Sequence, residues 1–211
     1  MKNIKNIIFD LGGVLINLEP DRTRRSFQSF FSTSDQYDTF YQTMTKESIF
    51  DDHETGHISD HTFIETIQQL LPREISNYDI VNAWNAMILD FPKERITLLR
   101  QLRKKYNIYL LSNTNHIHLQ FARQKVLLDA DIDDLDAEFD QAFYSHIVHH
   151  RKPNKEIFEI VCDQANIQPS ESLFIDDNHI NLTGAEEIGI QTIHHQANSD
   201  PGKTLRPVIT Y

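Results

Sequence analysis

The feature that most constrains this chain is a series of short apolar segments that stop abruptly at polar clusters. Five segments read as strands: residues 4–10, 107–111, 141–145, 172–175 and 190–194. Most are apolar at successive rather than alternate positions, the pattern of strands covered on both faces. Helical patterns lie between the later ones. Residues 93–106 carry Ile96, Leu99 and Leu102 at helical spacing behind Pro92, and residues 153–165 carry Ile157, Ile160 and Val161 behind a proline. Strand and helix alternate from about residue 91 to the end, which predicts right-handed βαβ units. The expected fold class is therefore α/β, with a Rossmann-like parallel sheet.

Residues 17–90 break the alternation. Phe27, Phe30 and Phe31, then Phe63, Ile67, Leu70 and Leu71, recur at helical spacing, and no strand pattern intervenes. The reading is a helical insertion of roughly four helices after the first strand. It divides the chain into a core of residues 1–16 and 91–211 and a helical domain of residues 17–90.

Composition excludes some classes. At 211 residues with a formal net charge of −11, the chain lacks the basic surface that general nucleic-acid binding needs. No apolar run approaches the ~18 residues of a membrane span, and the N-terminus shows no signal-peptide cleavage pattern. The single cysteine, Cys162, permits no internal disulfide and sits in an apolar stretch as a buried thiol would. A cytoplasmic location is expected. An anionic substrate would need a local cation, from a named residue or a metal.

The polar clusters supply that chemistry. FDLGG follows the first strand, LLSNTN the second and FIDDNHIN the fourth, while a lysine in HHRKPN follows the third. Ligands bind at the carboxyl ends of strands in open parallel sheets, so four such ends converge on one point. Asp10, Asp176 and Asp177 would repel one another there unless a hard cation such as Mg²⁺ relieved them. Ser112 and Asn113 offer hydroxyl, amide and backbone donors for phosphate oxygens, and Lys152 adds a point charge. Together these groups would stabilise a phosphoryl group in transfer.

In this order the motifs resemble the haloacid dehalogenase-like hydrolase superfamily over essentially the whole chain. The FDLG motif, the stretch HETGHIS and the run LSNTN look most like its bacterial sugar-phosphate phosphatases of the glucose-1-phosphate type. The resemblance implies that Asp10 is a nucleophile forming an aspartyl-phosphate. It implies that Mg²⁺ is held by Asp10, Asp177 and the Gly12 carbonyl. Asp176 and Asn181 would lie behind these and orient them. Ser112, Asn113 and Lys152 would bind the phosphoryl group, and residues 17–90 would form a mobile cap contributing His53 and Glu54 to the substrate. The expected reaction is hydrolysis of a small phosphate ester, with a sugar 1-phosphate as the first guess. Neither nucleic acid nor membrane is an expected partner, and the sequence leaves the oligomeric state open.

Gly12 departs from the pattern, because most phosphatases of the superfamily carry there an aspartate that serves as general acid and base. Such help is typically worth ~10²–10⁴-fold. An acidic leaving group would need it less, and His53, Glu54, His57, His116 or His118 could replace it. The same departure marks the metal-free 2-haloacid dehalogenases, although those have little use for the pair Asp176–Asp177. A binding protein without turnover is the third reading, and a phosphomutase is disfavoured because it needs the second acid. The acidic run 129–140 places acids at positions one, three, five and twelve of a calcium loop but has Asp134 where glycine is required, which favours a solvated segment. The pairs His149–His150 and His194–His195 lack a third ligand at metal spacing and read as hydrogen-bonded or exposed histidines.

Overall fold

The computed structural model describes residues 3–209. Strands β1 (Asn6–Phe9), β2 (Asn107–Ser112), β3 (Gln141–Tyr144), β4 (Ser172–Asp176) and β5 (Gln191–His194) form one sheet in the order β3-β2-β1-β4-β5. Every pairing is parallel. The strand order reverses beside β1, which creates the crevice where such sheets bind ligands.

The three inner strands divide their side chains between two cores, which explains the unbroken apolar runs. Ile7, Phe9, Ile108, Leu110, Leu173 and Ile175 face one core. Ile8, Tyr109, Leu111 and Phe174 face the other. The first core is covered by α6 (Glu94–Leu102), α7 (His116–Ala130) and α11 (Pro201–Leu205), and the second by α9 (Lys155–Gln164) and α10 (His179–Glu187). Cys162 lies buried in the second, where burial pushes its thiol up to about 11. The short α8 (Ser145–Val148) follows β3 directly.

Between β1 and α6 stand five helices, one more than expected: α1 (Pro20–Gln28), α2 (Ser34–Lys46), α3 (Ile49–Glu54), α4 (Asp60–Leu70) and α5 (Asn77–Asn85). The extra helix is α3. It has six residues, too few to display a period, and Ser48 in the left-handed region separates it from α2. Side chains of Thr33, Ser59 and Ser76 accept hydrogen bonds from the first turns of α2, α4 and α5. These helices bury a third core of their own, built from Phe27, Phe40, Met44, Phe63, Ile67 and Ile80. The chain leaves the sheet and returns to it through two segments that hydrogen-bond to each other. The N–H of Asn17 donates to the Asp90 carbonyl at 3.0 Å, that of Leu89 to Asn17 at 2.9 Å, and that of Glu19 to Met87 at 2.8 Å.

The acidic run 129–140 commits four of its carboxylates to the fold. Asp129 accepts from the Phe91 N–H, Asp136 from Arg123 and Tyr144, Glu138 from Arg100, and Asp140 from Arg103 and the Ile108 N–H. Among the described residues, no helix is long and apolar enough to cross a membrane.

Candidate active site

Asp10 directly follows β1, and Asp176 ends β4, its neighbour in the sheet. Between them stands Lys152, 1% exposed. Its Nζ donates to Asp10 Oδ1 at 2.8 Å, to Asp176 Oδ2 at 2.7 Å and to the Leu111 carbonyl at 3.1 Å. All three ammonium protons are thereby used. Burial lowers the pKa of this amine, but the charges of Asp10 and Asp176 more than offset that, and Lys152 is held above its ordinary value. It remains a cation across the physiological range.

Three carboxylates share this one cation. Asp10, Asp176 and Asp177 each place an oxygen within 4.8 Å of the others. Burial, with Asp176 and Asp177 adding repulsion, pushes Asp10 up to about 7 despite Lys152. Asp177, half-buried, is raised chiefly by burial and then by Asp176. An oxygen-only set with unbalanced negative charge fits a hard divalent cation such as Mg²⁺.

Asp176 is fully enclosed. Its Oδ1 accepts from the Asn178 N–H at 2.8 Å, while Asn181 Nδ2 donates to Oδ1 at 3.2 Å and to Oδ2 at 3.1 Å. With Lys152 also on Oδ2, this carboxylate serves to fix its neighbours. Asp177 packs against Gly13, where φ is +71° and a β-carbon would lie 2.2 Å from Asp177 Oδ2. Glycine is required there both by the backbone and by the approach of the carboxylate.

Ser112 ends β2 and is buried. Asn113 also holds the loop that carries Lys152. Its Nδ2 donates to the Lys152 carbonyl at 3.0 Å, and its Oδ1 accepts from the Lys152 N–H at 2.9 Å. The side-chain oxygen and one Nδ2 proton thereby hold the lysine's backbone, and the second Nδ2 proton remains for a ligand.

A cavity of about 230 Å³ opens beside the carboxylate cluster, reaching Leu11 and Gly12, the residues that follow Asp10. Gly12, Ser112 and Asn113 line it from the sheet side, and Phe50, Glu54, Trp84 and Met87 from the helical side. The structure does not bring His53 into this cavity. That ring stacks on Phe63 at 3.9 Å, donates through Nε2 to Asp60 Oδ1 at 2.8 Å, and faces a second cavity with His116 and His146. His118 does line the first cavity, but Nε2 bonds the Trp84 carbonyl at 3.0 Å and the ring stacks on Trp84. Burial pushes it down to about 4. His149, His150, His194 and His195 each hydrogen-bond through a ring nitrogen to a carbonyl or hydroxyl oxygen.

Two positioning residues escaped the sequence reading. Asn198 brackets Leu18, accepting from its N–H and donating to its carbonyl, both at 2.9 Å, while its own N–H bonds the Gly13 carbonyl at 2.7 Å. Arg151 pairs with Asp51 at 2.5 Å and with Glu54 at 2.9 Å. Its position beside Lys152 was the available signal, since one loop carries both cations.

Fold and site together define an α/β protein whose polar centre lies at the switch point of a parallel sheet. The model of the family described as haloacid dehalogenase-like hydrolase matches residues 4–189, and the chain belongs to that family. D-ribitol-5-phosphate phosphatase of Bacteroides thetaiotaomicron is 29% identical over 208 residues, covering 98% of each chain. (S)-2-haloacid dehalogenase 4A of Burkholderia cepacia is 27% identical over 166 residues, 79% of this chain and 63% of that one. A HAD-family enzyme of B. thetaiotaomicron, solved with magnesium and inorganic phosphate, superposes with a TM-score of 0.78 at 35% identity, covering 93% of this chain and 96% of that one.

Proposed function

We propose that this hydrolase is a Mg²⁺-dependent phosphatase of a small polyhydroxylated phosphate ester. The observation that carries the reading is Lys152, clamped between Asp10 and Asp176 with Asp177 alongside. That arrangement holds one carboxylate for attack and leaves an oxygen set for a cation. Asp10, Asp177 and the Gly12 carbonyl would hold Mg²⁺, which supplies neutralising charge for carboxylate and phosphoryl oxygens.

The chain's own residues do the rest. Asp10 attacks phosphorus, and the ester P–O bond breaks with its electron pair on the leaving oxygen. Lys152 orients the attacking carboxylate and, with Ser112 and Asn113, meets the charge on the phosphoryl oxygens. Water then attacks phosphorus and returns the carboxylate. Helices α1–α5 act as a cap that excludes bulk water during transfer and moves for exchange. The paired segments 17–19 and 87–90 suit a hinge, because they are the two connections between the helices and the sheet.

Sugar 1-phosphates are the first substrates to try, given Gly12, and the ribitol phosphate relative adds pentitol phosphates. Phosphate release is measured across such a panel with Mg²⁺ and with EDTA. Turnover is expected only with the metal, and Asp10→Asn is expected to abolish it. No activity above that variant on any ester overturns the reading. The dehalogenase relative motivates one further arm. Halide release from a 2-haloacid in EDTA would favour the metal-free reaction instead.

A further inference from the structure

We propose that Glu54 is the acid–base residue of this site, protonating the alcohol as it leaves and taking a proton from water afterwards. The inference rests on the phosphatase reading above and names what stands in for a side chain at position 12.

In-line displacement puts the leaving oxygen opposite the attacking one. Asp10 follows β1 directly and the next residues, Leu11 and Gly12, line the cavity from the sheet side, so a leaving group opposite Asp10 points toward its helical side. Glu54 lines that side, at the last residue of α3. Of the residues lining the cavity, two carry side chains that can give up and take back a proton, Glu54 and His118. His118 is already committed, with Nε2 on the Trp84 carbonyl and Nδ1 at 3.2 Å from the Asn115 amide nitrogen. His53, His57 and His116 are not among the lining residues. Elimination and position therefore agree on one carboxyl.

That residue is held at two points, one on the carboxyl and one on the backbone. Arg151 Nη2 lies 2.9 Å from Glu54 Oε2, and Ser145 Oγ donates to the Glu54 backbone carbonyl at 2.6 Å. Arg151 divides its charge between Glu54 and Asp51. Burial raises the Glu54 pKa, with Asp51 adding to it and Arg151 opposing, the direction an acid near neutral pH requires.

The protons balance. As the ester bond breaks, the leaving oxygen keeps the electron pair, takes the Glu54 proton and departs as a neutral alcohol. The glutamate then accepts a proton from the attacking water, whose oxygen bonds to phosphorus. The bond from phosphorus to Asp10 breaks, its pair returns to that carboxylate, and Glu54 ends protonated. A site with glycine at position 12 can thereby release primary alkoxides, which leave poorly without a proton.

The test compares wild type with Glu54→Gln at saturating Mg²⁺ on a primary polyol phosphate and on 4-nitrophenyl phosphate. The value of kcat/KM covers the steps through alcohol release and so isolates the acid role. It is expected to fall by ~10²–10⁴-fold on the polyol ester. On the aryl ester, whose phenolate leaves unprotonated, the loss should stay below about tenfold by the same reasoning. The aryl substrate also reports whether the variant is folded. Equal losses on both esters, or no loss on either, overturn the assignment. A wild type inactive on every phosphate ester would instead remove the phosphatase reading itself.

Discussion

Gly13 shows how narrowly the metal-binding end of the site is built. Its backbone is left-handed, and a methyl group there would meet Asp177 Oδ2. Left-handed backbone costs a non-glycine residue roughly 1–2 kcal/mol, and the clash adds displacement of the carboxylate. Gly13→Ala is expected to weaken Mg²⁺ binding by about tenfold or more, which is about 1.4 kcal/mol or more. The Mg²⁺ dependence of activity and the Mg²⁺-induced shift in melting temperature both read this. An unchanged Mg²⁺ dependence would refute it. Asp10 and the pair Asp176–Asp177 were legible because an apolar strand runs into each, and Lys152 because its loop comes soon after the third strand. The second task of Asn113 was not legible, because its partner is the backbone of residue 152, brought close only by the β2–β3 pairing. Asn198 was hidden for the same reason, since it braces a residue 180 positions away.

Helix α10 carries the corresponding constraint among elements. A β-carbon on Gly184 would lie 1.9 Å from the Pro153 carbonyl oxygen, which is backbone and has little freedom to yield. Gly184 lets α10 approach the loop that delivers Lys152. Gly184→Ala is expected to lower stability by about 1–3 kcal/mol, as overpacking does, and to lower activity with it. Urea denaturation should show a lower midpoint at an unchanged slope. A midpoint equal to wild type would sink the argument. The strands were readable from their apolar runs to within a residue or two. Helix α3 was not, although it delivers Glu54, because six residues carry no period. Helix α7 was blurred in another way: Leu127 and Leu128 are exposed, while Leu119, Ala122 and Val126 are buried.

For the molecule as a whole, buried histidines set the response to acid. Burial lowers the pKa of His53, His118, His146 and His195, with His118 pushed down to about 4. Between that value and ~6.5 the unfolded chain binds a proton that native His118 does not. Its contribution is therefore fully present above ~6.5 and is lost as pH falls toward 4, in total about 3 kcal/mol. Asp10 works the other way in metal-free protein, since a raised carboxyl gains stability as pH drops below about 7. The difference in unfolding free energy between wild type and His118→Gln isolates the histidine. It should shrink from pH 7 to pH 4.5, and a constant difference would refute the assignment. The sheet, its connections and the helical insertion were foreseeable because they follow from the order of apolar segments. Which histidines are enclosed was not, since it depends on how the helical layer meets the sheet.

The space above Gly12 is occupied by Leu18. A β-carbon at position 12 would lie 2.5 Å from Leu18 Cδ1, and Leu18 is fixed through its backbone by Asn198. An aspartate introduced at 12 thus competes with a methyl group of the neighbouring loop, whereas the same change made beside Leu18→Ala has room. The two substitutions should be strongly epistatic. The order of the two changes therefore matters, because a side chain at position 12 fits without displacing that methyl only once Leu18 has been shortened.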